Sequence, residues 1–281
     1  MPKDSWNIFN ERIINAILAQ IYQFKAESCA GEADDWSKAE YYAKEARGDS
    51  RVENTVEEQK ELNYAPAQDD YFTLDKPHPF ALLRIAHPGD GGNNYAPWGL
   101  PNDPQQKVTP ELFAMYDETD IRVPVFFNTV NDIPYWIKLR SDGSVDVCSE
   151  SHPLFRISDL LLIEAEALAR QGKSDALVLL NEFKSSKIPG YAGYSGSDVL
   201  EEILRERRKE FALEEQMRWL DMKRLGVSVT REALDDDNEP KIYKLEANDY
   251  RYALPIPEEL ELMYNNIPQN PGWLEKKNDN L

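Results

Sequence analysis

The chain has little that would announce chemistry. Only two cysteines occur in 281 residues, Cys29 and Cys148, 119 positions apart, too few for a disulfide framework, and their pairing stays open. No run of apolar residues approaches the ~20 needed to cross a bilayer; the longest, such as "LLLIEAEALA", are interrupted by carboxylates. The amino-terminal stretch loosely mimics a signal peptide ending at Cys29, but Asp4, Glu11, Lys25 and Glu27 break the required order, and it is read as an amphipathic helix. Positive charge is scarce: 32 Lys and Arg stand against 51 Asp and Glu, a formal charge of -19. A surface so acidic repels phosphate backbones, and nucleic acid is excluded as a partner. A Gly-rich phosphate loop, a G-x-S-x-G elbow and a C-x-x-C pair are all missing, which removes the commonest nucleotide, acyl-transfer and redox signatures. Histidine is rare too. His78, His87 and His152 each precede proline, which forces extended backbone instead of a helix face with ligand spacing, so zinc and general-base roles are not assigned to them. The acidic run Asp235, Asp236, Asp237 and Glu239 lacks the spacing and glycine of a calcium loop and is read as a solvated loop. No metal or cofactor is expected.

What is present is mostly helix. Ile13, Ile17, Ile21 and Phe24 recur at helical spacing, and a second segment lines up Trp36, Ala39, Ala43 and Ala46. The arrangement returns in "RISDLLLIEAEALARQG", read as opening at an N-cap Ser158 and closing at Gly172, followed by Ala176, Leu179, Leu180 and Phe183. Each pair approaches the ~34 residues of a tetratricopeptide unit, with alanine where helices cross closely. The predicted fold is therefore mainly α, with tetratricopeptide-like helical pairs and a loop-rich insertion carrying short strands. A single domain over 1–281 is expected: a helical pair (1–47), the insertion (48–155), a helical pair and long helix (156–226), and a strand, short helix and tail (227–281). Within the insertion "IRVPVFF" and "YWIKL" read as strands, and "SDGS" as a turn. The long helix runs from near Ser197 to Gly226, and the tail alternates loop, a strand-like "YRYALPIP", a short helix "PEELELMYNN" and the turn "IPQNPGW".

Arg207, Glu214, Arg218 and Asp221 fall on or beside the inner stripe of that long helix. Opposite charges interleaved at helical spacing are read as a structural network, because a half-paired buried charge costs several kcal/mol. With 51 acidic residues, facing carboxylates arise by chance, so their abundance makes no case for a glycosidase.

One loop does invite a ligand. In "GDGGNNYAPWGLPND", residues 89–103, Gly and Pro forbid a helix, and Tyr95 and Trp98 sit on irregular chain. Flat rings stack on the apolar faces of sugars, while Asn93 and Asn94 supply donors and acceptors for hydroxyl groups. Trp136 is a candidate second platform. The alternative is that Trp98 plugs the insertion onto the helices.

Three stretches resemble the SusD/RagB family of outer-membrane nutrient-binding lipoproteins: "RISDLLLIEAEALARQGKSDALVLLN", "ILRERRKEFALEEQMRWLDMKRLG" and "YALPIPEELELMYNNIPQNPGW", in the family's order and spacing. The helical pair before residue 48 and "VTPELFAMYDETDIR" are similar to it more loosely. The chain departs from the commoner pattern in placing three residues and no glycine between Glu214 and Arg218, which predicts a helix irregularity near Gln216. Family members are usually longer and begin with a lipoprotein signal, a lipidated cysteine and a first helical segment; the chain reads as lacking these, so membrane association is expected only through an anchor outside this sequence. The resemblance implies a non-catalytic protein at the cell-surface face of the outer membrane. Such a protein captures a glycan, or sometimes a peptide, and passes it to a SusC-like TonB-dependent transporter. It also implies that residues 89–103 occupy a variable insertion that commonly supplies ligand contacts. A tetratricopeptide-like scaffold binding peptide or protein is the second reading, and a glycoside hydrolase the distant third.

Overall fold

The computed structural model describes residues 10–63, 79–86, 107–138, 151–214, 217–234, 240–257 and 267–273. The chain divides into two compact units, 1–212 and 213–281.

The first unit is built from helix pairs. Helix α1 (Glu11–Ala26) starts where the Asn10 side chain accepts from the Ile13 N–H at 2.9 Å. It pairs with α2 (Asp35–Arg47), which stops at Gly48, whose φ of 55° suits only a residue without Cβ. Ala39, Ala43 and Ala46 are wholly buried, as their spacing predicts. The buried side of α1 differs from expectation. It is Ile13, Ala16, Ala19 and Gln23, while Ile21 is 51 % exposed. The small alanines let α1 approach α2 closely, and that rotates the large Ile21 outwards.

Helices α6 (Ile157–Arg170) and α7 (Asp175–Lys187) form the second pair, turned by Gly172 at φ 70°. The inner residues Ala176, Leu179, Leu180 and Phe183 are all buried. Every residue from Ile157 to Leu168 is buried, because α2, α7 and α8 (Val199–Glu210) all pack on α6. These pairs make the fold mainly α and tetratricopeptide-like. Ser158 lies inside α6 and not at its cap; Arg156 takes that position, and the Ser158 hydroxyl donates to Glu53 at 2.9 Å.

Between the pairs run α3 (Val56–Asn63), strand β1 (Ala81–Ala86), the single turns α4 (Pro110–Phe113) and α5 (Val123–Phe126), then β2 (Phe127–Val130), β3 (Ile133–Trp136) and β4 (Ser151–Arg156). Strand β1 pairs antiparallel with β4, and β2 with β3. "IRVPVFF" is thus a helical turn followed by a strand, not one strand, since Pro124 suits the first turn of a helix. The β2–β3 hairpin closes on Asn131 and Asp132, both at positive φ (50° and 63°), the geometry of a two-residue type I′ turn. His152 lies in β4, in the extended backbone its proline neighbour requires.

The expected long helix is two. Helix α8 ends at Glu210, Leu213 adopts φ 63°, and α9 (Met217–Arg224) begins the second unit. A left-handed residue cannot continue a right-handed helix, so the irregularity predicted near Gln216 is a full break slightly upstream.

In the second unit α9 is followed by a hairpin of β5 (Val229–Leu234) and β6 (Pro240–Leu245), which the sequence reading left as loop. The Asp235–Glu239 run lies outside the described residues. Tyr250–Tyr252 is a 3-10 turn instead of the expected strand, capped by Asp249, whose carboxylate receives the Arg251 N–H at 2.9 Å. The carboxy-terminal signature locks this unit. Gln269 exchanges two 2.8 Å hydrogen bonds with the Ile256 backbone, Asn270 donates to Leu254 O at 2.7 Å, and the Trp273 indole donates to Ala253 O at 2.7 Å. Gly272, at φ 87°, brings the chain so close to Tyr250 that an added Cβ would stand 2.5 Å from its ring.

Candidate ligand-binding surface

Asn93, Asn94, Tyr95 and Trp98 fall in the segment 87–106, outside the described residues. The structure does define where that segment leaves and rejoins the scaffold. It follows β1 at Ala86, which lies opposite Ser151 of β4, and it ends at Lys107, bridged to Tyr135 of β3. The Val108 N–H donates to Pro134 O at 2.9 Å. A second segment, 139–150, runs between Lys138 and Ser151, so it ends at the same sheet position where the first begins.

An aromatic floor supports these attachment points. Trp136 is 6 % exposed, its ring 4.8 Å from Phe127, and Phe127 meets Phe113 and Tyr116 edge to face at 5.2 and 4.9 Å. The Tyr116 hydroxyl donates to Lys209 O at 2.7 Å. Burial pushes that phenol well above its ordinary pKa.

Beneath the floor lies a buried lattice of charges. Arg122, fully buried, grips Asp120 through Nε and Nη2 (2.9 and 2.7 Å), reaches Glu206 at 2.8 Å and Glu210 at 3.1 Å. Glu210 also receives Arg156 at 2.7 Å. Lys187 donates to Glu53 at 2.7 Å, and Lys209 to Glu206 at 2.8 Å. Burial pushes the Asp120 and Glu206 carboxyls up, but Arg122 and Lys209 together more than offset it and hold both below the usual carboxylate range. Glu210 is likewise held low, with Lys187, Arg156, Arg122 and Lys138 together outweighing burial. Carboxylates fixed in the ionised state and saturated by guanidinium cannot act as proton donors, so the lattice is built for placement.

The sequence reading found part of this. Arg207 pairs with Asp159 on α6 at 2.5 Å, and Asp221 with Arg224 one turn on at 2.8 Å, so two of the four charges take partners outside the set. It did not single out Asp120, Arg122, Lys138, Arg156, Glu206 or Glu210. The available signal was the density of charge in "DETDIR" and "RERRKE", set beside apolar residues.

Other polar groupings are already occupied. Glu32, Asp34 and Asp35 bring carboxylate oxygens within 4.8 Å of one another, but Lys25 reaches Glu32 and Asp35 (2.6 and 3.0 Å) and Lys38 reaches Asp34 (2.8 Å). A polar cleft of about 490 Å³ beside α1 contains Arg12. Its guanidinium caps the carboxyl end of α2 on Ala46 O and Arg47 O at 2.8 and 2.9 Å. Cys29 is an exposed free cysteine; Cys148 lies outside the described residues.

The helical scaffold, the inserted sheets and the carboxy-terminal lock place the chain among known proteins. Residues 138–273 match the model of the SusD family. Over that stretch the chain is similar to the SusD family. Solved SusD proteins share its fold. A SusD superfamily protein from Bacteroides thetaiotaomicron VPI-5482 superposes with a TM-score of 0.71 at 21% identity, covering 96% of this chain and 62% of its own. One from Bacteroides vulgatus ATCC 8482 gives 0.69 at 23%, covering 97% and 61%. A SusD-like carbohydrate binding protein from Bacteroides vulgatus ATCC 8482 gives 0.60 at 18%, covering 88% and 52%. The chain therefore spans between about half and three fifths of the length of these SusD structures. No curated protein matches it. Among the described residues no helix is long and apolar enough to cross a membrane.

Proposed function

We propose that this chain is a non-catalytic glycan-binding protein of the SusD family, at the outer-membrane cell surface, that hands oligo- or polysaccharide to a SusC-like TonB-dependent transporter. The observation that carries the reading is the family match over residues 138–273, supported by fold likeness to a SusD-like carbohydrate binding protein. On this reading the ligand surface is the segment 87–106, with Tyr95 and Trp98 stacking on sugar faces and Asn93 and Asn94 bonding hydroxyl groups. Trp136, expected as a second platform, is buried with its ring against Phe127 and is not offered to a ligand in this structure.

The test is titration calorimetry of the chain and of Trp98→Ala against a panel of soluble polysaccharides and their oligosaccharides, with circular dichroism confirming that both fold. Binding that is lost only in the variant supports the sugar site. A folded wild-type chain that binds no glycan overturns it.

A further inference from the structure

The last turn of α8 gathers three cations onto one residue, Arg122 and Lys138 from the insertion and Arg156 from the end of β4. Glu210 is wholly buried, and its two carboxylate oxygens go to different guanidiniums: Oε1 to Arg156 at 2.7 Å and Oε2 to Arg122 at 3.1 Å. Its backbone carbonyl accepts from Lys138 Nζ at 2.6 Å and from Arg156 Nη2 at 3.3 Å. Lys138 also reaches Ala212 O at 3.1 Å.

The places from which those cations come matter more than their number. Arg122 immediately precedes α5 and the β2–β3 hairpin, whose outer edge takes Lys107 at the end of segment 87–106. Lys138 is the last described residue before segment 139–150, and Arg156 ends β4, the strand that follows it. One side chain and its own carbonyl therefore fix the entry to α5 and the hairpin, the exit from it at Lys138, and the strand that pairs with β1. Apolar packing would stabilise such a junction equally well, since replacing a buried ion cluster by hydrophobic residues is often neutral. What charged forks add is direction: a guanidinium bound on two sides holds its backbone at one distance and one angle.

We infer that Glu210 is a positioning residue for the inserted elements, setting where the β2–β3 hairpin and β4 stand on α8. That these elements carry a glycan-binding surface rests on the reading proposed above; that Glu210 positions them does not.

The experiment compares the full chain with Glu210→Gln, which keeps shape and removes charge, and with Arg47→Gln, which breaks a buried pair to Glu164 (2.8 Å) between α2 and α6, far along the chain from the insertion. Hydrogen exchange is followed at the amides of Val108, Ile121 and Ile137, which bond Pro134, Lys187 and Phe126 respectively, and across α1 and α2. Glu210→Gln should speed exchange at Ile121 and Ile137 by about tenfold while leaving α1 and α2 unchanged, and Arg47→Gln should do the reverse. Glycan affinity should fall about tenfold in Glu210→Gln and stay unmoved in Arg47→Gln at a temperature where both are folded. Unchanged exchange at Ile121 and Ile137 in a folded Glu210→Gln, or an equal rise in α1 and α2, overturns the inference. If Glu210→Gln does not fold, Lys138→Met decides: faster exchange at Ile137 alone supports the assignment, and none sinks it. Should the exchange pattern hold while the wild-type chain binds no glycan, Glu210 stands and the sugar reading falls.

Discussion

Replacing Arg122 by methionine should remove the guanidinium and its charge while keeping an unbranched stem, which makes it a test of the buried lattice. The flexible methionine stem can follow the path of the arginine methylenes, so packing loss is small. Three carboxylates lose a cation: Asp120, Glu206 and Glu210. Part of the compensation stays, because Lys209 remains 2.8 Å from Glu206 and 3.4 Å from Asp120, and Arg156 remains 2.7 Å from Glu210. Stripping one partner from a buried pair costs about 3–5 kcal/mol, and at an m-value of about 2 kcal/mol/M this lowers the urea midpoint by about 2 M. The loss should depend on pH in a stated direction. In the wild type Arg122 and Lys209 together keep Asp120 and Glu206 below the usual carboxylate range against burial. Without Arg122 burial is less strongly opposed, their folded pKa values move up relative to the wild type, and protonation then costs the variant less than the wild type. The gap between the two proteins, read by far-UV circular dichroism in urea, should shrink on going from pH 7 to about 4.5. A gap below about 1 kcal/mol at pH 7, or one that does not change with pH, would refute the assignment of these groups as a charge-compensated lattice.

Two further outcomes follow from the same structure. Asp120, Glu206 and Glu210 all have depressed folded pKa values, so their stabilisation is complete above the ordinary carboxylate pKa of about 4 and is lost as pH falls through the lower folded values. Melting temperature should thus be level from neutral pH down to about 5 and drop below about 4, and a melting temperature unchanged down to pH 2.5 would contradict it. Ala43 is fully buried on α2, which packs against both α1 and α6. Ala43→Leu should overfill that junction at a cost of about 1–3 kcal/mol, a fall of several degrees by calorimetry, whereas an unmoved transition would mean that the helices are not closely crossed there.

The parts legible in the sequence are those determined by neighbours a few residues away. Ala39, Ala43 and Ala46, and likewise Ala176, Leu179, Leu180 and Phe183, are buried where their spacing puts them, since a helix face needs only its own period. The β2–β3 turn was equally local, and Asn131-Asp132 marks it once positive φ is considered. Ile21 was misplaced because a hydrophobic stripe says which residues are apolar, not which side two alanine-rich helices press together. The segment 89–103 was singled out by composition alone and lies outside the described residues, and loop conformation depends on contacts that no period encodes.

The charged face of α8 shows where local reasoning stops. Spacing along one helix suggested that Arg207, Glu214, Arg218 and Asp221 satisfy one another, yet Arg207 bonds Asp159 on α6, and neighbouring Glu206 and Glu210 bond Arg122 and Arg156 from the insertion. A side chain on an inner face is turned away from its own i+4 neighbour's solvent side and towards whatever packs there, so a buried charge on such a face predicts an opposite charge elsewhere in the chain. Applied to "RERRKEF", that rule calls for cationic partners for Glu206 and Glu210, and directs attention to arginines beside strands, of which Arg122 and Arg156 are two. Glu206 and Glu210, not the four charges first singled out, are thus the ones that tie the inserted elements to the regular scaffold. An insertion of short strands and single turns has reason to keep its junction with the helices in directional, charged contacts instead of grease.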